Sequence, residues 1–209
     1  MSVVTIIDFD DTLFPTSFFG KLETMPVIVK SHMGAYRQLV NHFMQNIQQH
    51  SDKVYIVSNA SQGWIDSASS AYLPELADIE VISAMDKYSE KYPAASWVWK
   101  KKVFEEIITK HPDIKQFISI GDGPDEFISA QQLGQELNPE RGIVVKVIKY
   151  NTKPTLHDLA VQHQYIISSL QHIYSGKHNI TVIIPENHHS GTTQFSAHGC
   201  CLFHGRVIN

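Results

Sequence analysis

The sequence predicts an α/β fold, three layers deep as α/β/α around a central parallel sheet. Three observations carry the prediction. Short apolar runs alternate with longer segments whose apolar residues recur every three or four positions, a βαβα order. Three of the apolar runs end in polar or acidic stretches, DFDDT, SNAS and GDGPDE, and ligands of parallel α/β folds bind just beyond the carboxyl ends of the strands. The 209 residues, 43% of them hydrophobic, suffice for one full core with a small appendage.

The elements follow in order. Residues 3–8 form a buried-type strand, VVTIID. Residues 31–50 read as a helix, with Met33, Tyr36, Leu39, Val40, Phe43, Met44 and Ile47 at helical spacing. Residues 53–57 are a short apolar strand. A helix over 62–72 stops before Pro74, and 80–82 is a weak strand. Residues 94–110 are helical, closed by His111-Pro112. A strand over 117–120 runs into GDGPDE, and a helix follows to about residue 137. Residues 142–148 are a strand of valines and isoleucines. Residues 154–174 form an amphipathic helix opened by Thr152-Lys153-Pro154-Thr155. Beyond Gly176 only 180–184 has strand character, so the chain divides into a core over 1–174 and a C-terminal extension over 175–209.

The bulk properties exclude several classes. A net charge of -4 with both signs mixed indicates no nucleic-acid partner. The N-terminus has no basic region and meets acid within eight residues, unlike a signal peptide. No apolar run approaches the ~20 residues of a membrane helix. The two cysteines, Cys200 and Cys201, are adjacent and build no disulfide framework. The expected location is therefore the cytoplasm. His188, His189, His198 and His204 with the cysteines match no standard zinc spacing. Oligomeric state leaves no signal in the sequence.

Four pieces of chemistry stand after the strands. Asp8 and Asp10 end the first, Ser58 with Asn59 ends the second, a lysine lies in a later helix, and Gly121-Asp122 ends another strand with Asp125 and Glu126 close behind. Carboxylates converging from two strand ends make a hard oxygen site suited to Mg²⁺, and the cation offsets their mutual repulsion. A hydroxyl and an ammonium beside it suit the remaining oxygens of a phosphoryl group.

This order of motifs resembles the haloacid dehalogenase (HAD) superfamily over roughly residues 3–150. The resemblance implies a Rossmann-like HAD core. IIDFDDTL matches its first motif, implying that Asp8 is a nucleophile forming an aspartyl-phosphate. It implies that Asp10 is the general acid and base, its carbonyl helping to hold Mg²⁺. VYIVSNAS implies phosphate binding by Ser58, with Asn59 beside it as a further phosphate-binding candidate. GDGPDE implies that Asp122 is a metal ligand, with Glu126 in a second acidic slot that is more often Asp; Asp125 is the alternative there. Asp11 reads as a turn residue.

The third motif is one lysine, and WKKKVF offers three. Trp97, Phe104, Ile107 and Ile108 define an inward helical arc. Lys100 falls inside it, Lys101 at its border and Lys102 on the far side. Lys100 is the first choice and Lys101 the second.

The segments between motifs are too short for a large cap domain. By resemblance, an open site implies a macromolecular substrate such as a phosphoprotein, as in capless magnesium-dependent phosphatases. Phe14, Phe18 and Phe19 follow the catalytic strand and are candidates for an apolar wall, which favours phosphotyrosine; the same residues also suit a core. The alternatives are a small-metabolite HAD phosphatase, a non-catalytic binding module and a receiver-like phosphoacceptor domain. A receiver places its phosphoacceptor after a middle strand, and here the middle strands end in serine.

Overall fold

A computed structural model describes residues 2–20 and 27–184. Six strands form one all-parallel sheet: β1 (Ser2–Ile7), β2 (Lys53–Ser58), β3 (Glu80–Ser83), β4 (Ile114–Gly121), β5 (Val144–Lys149) and β6 (Ile180–Ile183), in the order β3-β2-β1-β4-β5-β6. The helices are α1 (Thr16–Phe19), α2 (Val27–His50), α3 (Gln62–Tyr72), α4 (Ala84–Tyr88), α5 (Ser96–Lys110), α6 (Pro124–Arg141) and α7 (Leu156–Ser175), with a single 3-10 turn at Pro74–Leu76. The three-layer α/β/α expectation holds.

Both faces of the sheet are buried, which is why its strands are continuously apolar. Along β1 the residues alternate between two cores. Val3 and Ile7 pack with α2, α3 and α7, whereas Val4 and Ile6 pack with α5 and α6. On α2, Met33, Tyr36, Val40, Phe43, Met44 and Ile47 are buried, as their spacing predicts.

Some boundaries differ for local reasons. Helix α5 starts at Ser96 because Ala94 has a φ of +58° and cannot continue a right-handed helix. The short helix α4 has Ser83 as its N-cap, the hydroxyl accepting from the Asp86 amide at 3.0 Å. The sheet also continues past the expected division at residue 174. Helix α7 returns the chain to the edge of β5, where Asn179 accepts from Val145 N at 2.9 Å and donates to the Gly134 carbonyl at 3.1 Å. β6 therefore belongs to the sheet, although its segment reads as an extension from sequence.

Between β1 and β2 the described chain is α1 and α2. Between β2 and α5 it is α3, the 3-10 turn, β3 and α4. All are consumed by the layers, and no cap domain is present among the described residues. None of the described helices is long and apolar enough to cross a membrane. The tail histidines His188, His189, His198 and His204, with Cys200 and Cys201, lie outside the described residues.

Candidate active site

The strand order reverses at β1. From there the chain builds β2 and β3 on one side, then crosses back to β4 on the other. This switch point leaves a crevice beyond the ends of β1 and β4. Asp8 and Asp122 follow those two strands directly. They line an open cleft of about 370 Å³ together with Asp10, Asp11, Ser58, Asn59, Lys100, Asp125 and Glu126.

Lys100 sits at the centre of the charge. It is 2% exposed, and its ammonium lies 2.9 Å from Asp8 Oδ2 and 2.8 Å from Glu126 Oε2. Lys100 is thus the inward lysine, as the helical arc has it, although Trp97, in the first turn of α5, is 37% exposed. Lys101 reaches Glu136 and Lys102 reaches Glu105, both on the surface.

Of the two candidate acids, Glu126 is the one that joins Asp8, Asp122 and Lys100, and the glycines of GDGPDE explain how. A Cβ on Gly121 would lie 2.5–2.7 Å from the Glu126 side chain, and one on Gly123 within 3.0 Å. Their absence lets the longer acid fold back over the loop. There it accepts from the Gly123 amide and from Lys100. Asp125, also in the cleft lining, stands outside the acid cluster and accepts from Asn59 Nδ2 at 2.8 Å. Asn59, expected on phosphate, spends its donors on Asp125 and on the Ser96 carbonyl.

Ligand atoms of Asp8, Asp122 and Glu126 all lie within 4.8 Å of one another. Burial pushes the Asp8 carboxyl well up, the Lys100 ammonium opposing it while Glu126 and Asp122 add to it. Burial, then Glu126 and Asp11, push Asp122 up to about 7. Burial also acts against ionised Glu126, but Lys100 and the Gly123 amide outweigh it and hold its pKa down. Burial alone would lower Lys100, yet Asp8 and Glu126 hold it well above its ordinary value. With all three acids ionised, one ammonium leaves two negative charges uncompensated in a mostly buried space. Three carboxylates and that excess charge fit a hard divalent cation such as Mg²⁺.

The Asp10 side chain lies outside this acid cluster. Its Oδ1 accepts from Thr16 Oγ1 at 2.6 Å and from the Trp64 indole N–H at 2.9 Å, and its Oδ2 accepts from Ser58 Oγ at 2.9 Å. Ser58 Oγ in turn accepts from the Ala60 amide at 3.0 Å. Asp11 has a φ of +52° and takes both the amide and the hydroxyl of Ser17, the turn role expected of it.

Thr16, Trp64 and Lys149 are the residues that sequence reasoning missed. Ser61 caps α3 by accepting from Trp64 N at 3.3 Å, which places Trp64 in the first helical turn beside the strand ends. That cap, three residues from Ser58, is the one local signal for Trp64. Lys149 ends β5 and donates to the backbone carbonyls of Asp122 and Tyr150, bracing the Asp122 loop.

The expected aromatic wall is placed differently. Phe14 is 2% exposed, stacked against Phe9, Phe19 and Tyr72 in the core, and it does not line the cleft. Phe18 lines a separate apolar groove of about 410 Å³ between α2 and α7. An exposed aromatic that does reach the cleft residues is Trp64, through its hydrogen bond to Asp10.

No protein-family model matches the chain, and no curated protein or solved structure compared with it is significantly similar.

Proposed function

We propose that the chain is a magnesium-dependent phosphomonoesterase of the haloacid dehalogenase type, acting through an aspartyl-phosphate on Asp8. One observation carries the reading. A buried lysine is shared by two acids from neighbouring strand ends, with a hydroxyl-bound aspartate two residues from the first acid. A receiver-like or purely structural site has no need of Asp10 so placed.

Asp8, Asp122 and Glu126, with the Asp10 carbonyl, would hold Mg²⁺. When bound, the ion would neutralise charge on the phosphoryl oxygens. The chain's own groups do the rest. Lys100 and Ser58 take up further phosphoryl oxygens. Asp8 Oδ attacks phosphorus in line while the bond to the leaving oxygen breaks. Asp10 gives its proton to that oxygen, and the alcohol departs. Asp10, now a carboxylate, removes a proton from water as the water attacks phosphorus. Phosphate leaves and Asp8 is regenerated. The open cleft and the aromatic Trp64 at its edge support a phosphoprotein substrate, with phosphotyrosine favoured.

The test is turnover of para-nitrophenyl phosphate with Mg²⁺. Turnover is expected from the wild type and not after chelation, and Asp8→Asn is expected to lower it by about a thousandfold or more. A stable, stoichiometric phosphoprotein without turnover would instead support a receiver-like switch.

A further inference from the structure

We infer that Trp64 is a positioning residue, whose indole N–H holds the Asp10 carboxyl by Oδ1 and so keeps Oδ2 turned toward Ser58 and the cleft. The inference rests on the phosphomonoesterase reading above.

Asp10 Oδ1 receives two donors, Thr16 Oγ1 at 2.6 Å and Trp64 Nε1 at 2.9 Å. The two are not equivalent. A threonine hydroxyl can donate or accept, whereas an indole N–H only donates. Trp64 therefore occupies a lone pair of Oδ1 as a donor that cannot reverse. With Thr16 on the same oxygen, Oδ1 is anchored to both α1 and α3, and Oδ2 is the oxygen left toward the cleft. That oxygen faces Ser58, the residue at the end of β2 that lines the cleft. Anchored through Oδ1, the carboxyl keeps one orientation through both halves of the reaction.

The surroundings hold the indole in place. Ser61 caps α3 beneath it, and Phe14 meets it edge-on at a ring separation of 6.2 Å. Yet Trp64 is 41% exposed. A surface tryptophan whose one polar atom is bound to a catalytic carboxyl does little for core packing, which separates a positioning role from a structural one.

The experiment has two readouts. The first is the indole N–H resonance of Trp64, one of three tryptophans, assigned through Trp64→Phe. In Asp10→Ala that resonance is expected to move while the other two stay; no movement would overturn the contact. The second is kcat/KM with Mg²⁺ for para-substituted phenyl phosphates. Trp64→Phe keeps a ring against Phe14 and removes only the donor. Its kcat/KM is expected to fall about tenfold for phenyl phosphate, whose poor leaving group needs the acid, and less than about threefold for para-nitrophenyl phosphate. Thr16→Val should steepen the series in the same direction. Equal losses across the series would overturn the positioning role and leave the phosphatase reading standing. If the wild type hydrolyses none of the series although the indole contact is present, the phosphatase reading falls and this inference falls with it.

Discussion

On α7, His163 is fully buried among the rings of Phe43, Tyr150 and Tyr36, with ring separations of 4.4, 5.7 and 6.0 Å. Neither ring nitrogen makes a well-formed hydrogen bond among the described residues. Burial drives its pKa down to about 3, opposed only in part by the Leu159 carbonyl one turn back. The unfolded chain regains a value near 6.5 and so binds one more proton than the folded chain between those limits. Stability must therefore fall as pH drops below about 6.5, until both states are protonated near pH 3. Between pH 7.5 and pH 5 the wild type is expected to lose about 2 kcal/mol relative to His163→Met. Urea unfolding of both proteins at the two pH values measures this, and parallel pH curves would refute it. Such a histidine cannot be recognised from its own position in the sequence, since the rings that bury it come from α2 and the end of β5. Lys100 is the opposite case. Its depth follows from the apolar residues of its own helix, so the arc identified it before its partners were known.

Among the elements, α7 shows how a short stretch of sequence fixes a boundary. Thr155 Oγ1 accepts from the Asp158 amide at 3.1 Å, and Asp158 Oδ2 accepts from Thr155 N at 2.9 Å, a reciprocal cap on the helix start. Removing it in Thr155→Ala should cost about 1 kcal/mol. For a chain of this length that is a fall in Tm of about 2–4 °C, while Thr155→Ser should keep most of the stability. Calorimetry decides between them, and an unchanged Tm in the alanine variant would mean that packing alone sets the helix start. Caps and periodicity made α2, α3 and α7 legible, because both signals lie within one helix. β6 was less legible. It is a four-residue strand whose membership in the sheet depends on Asn179 reaching β5 and α6, a contact that no local pattern encodes. α1 and α4, each about one turn long, lie below the length at which periodicity has meaning.

At the scale of the molecule, the site lies where the strand order reverses, and that placement explains which of its parts could be read. Asp8, Ser58 and Asp122 each stand at a strand's carboxyl end, so the βαβ pattern was enough to bring them together. Trp64, Thr16 and Lys149 arrive through packing of α3, α1 and β5 around that point, and their own neighbours in sequence carry no acid or metal motif. The same architecture bears on substrate. The segments after β1 and β2 are consumed by the layers, so among the described residues nothing covers the cleft. An exposed indole stands at its edge, and the apolar groove between α2 and α7 adjoins α1, which carries Thr16. An uncovered cleft cannot surround a small sugar phosphate, which has few groups to bind away from the phosphate. A phosphotyrosyl peptide offers a planar leaving group to Trp64 and further surface to the groove. On the proposed reading, its binding energy would hold the phosphoryl group in line with Asp8. With Mg²⁺ present, kcat/KM is expected to rank phosphotyrosyl peptides above phosphoseryl peptides, and both at least about tenfold above sugar phosphates. A decisive preference for sugar phosphates across such a panel would show that the open cleft is not read by a macromolecular substrate.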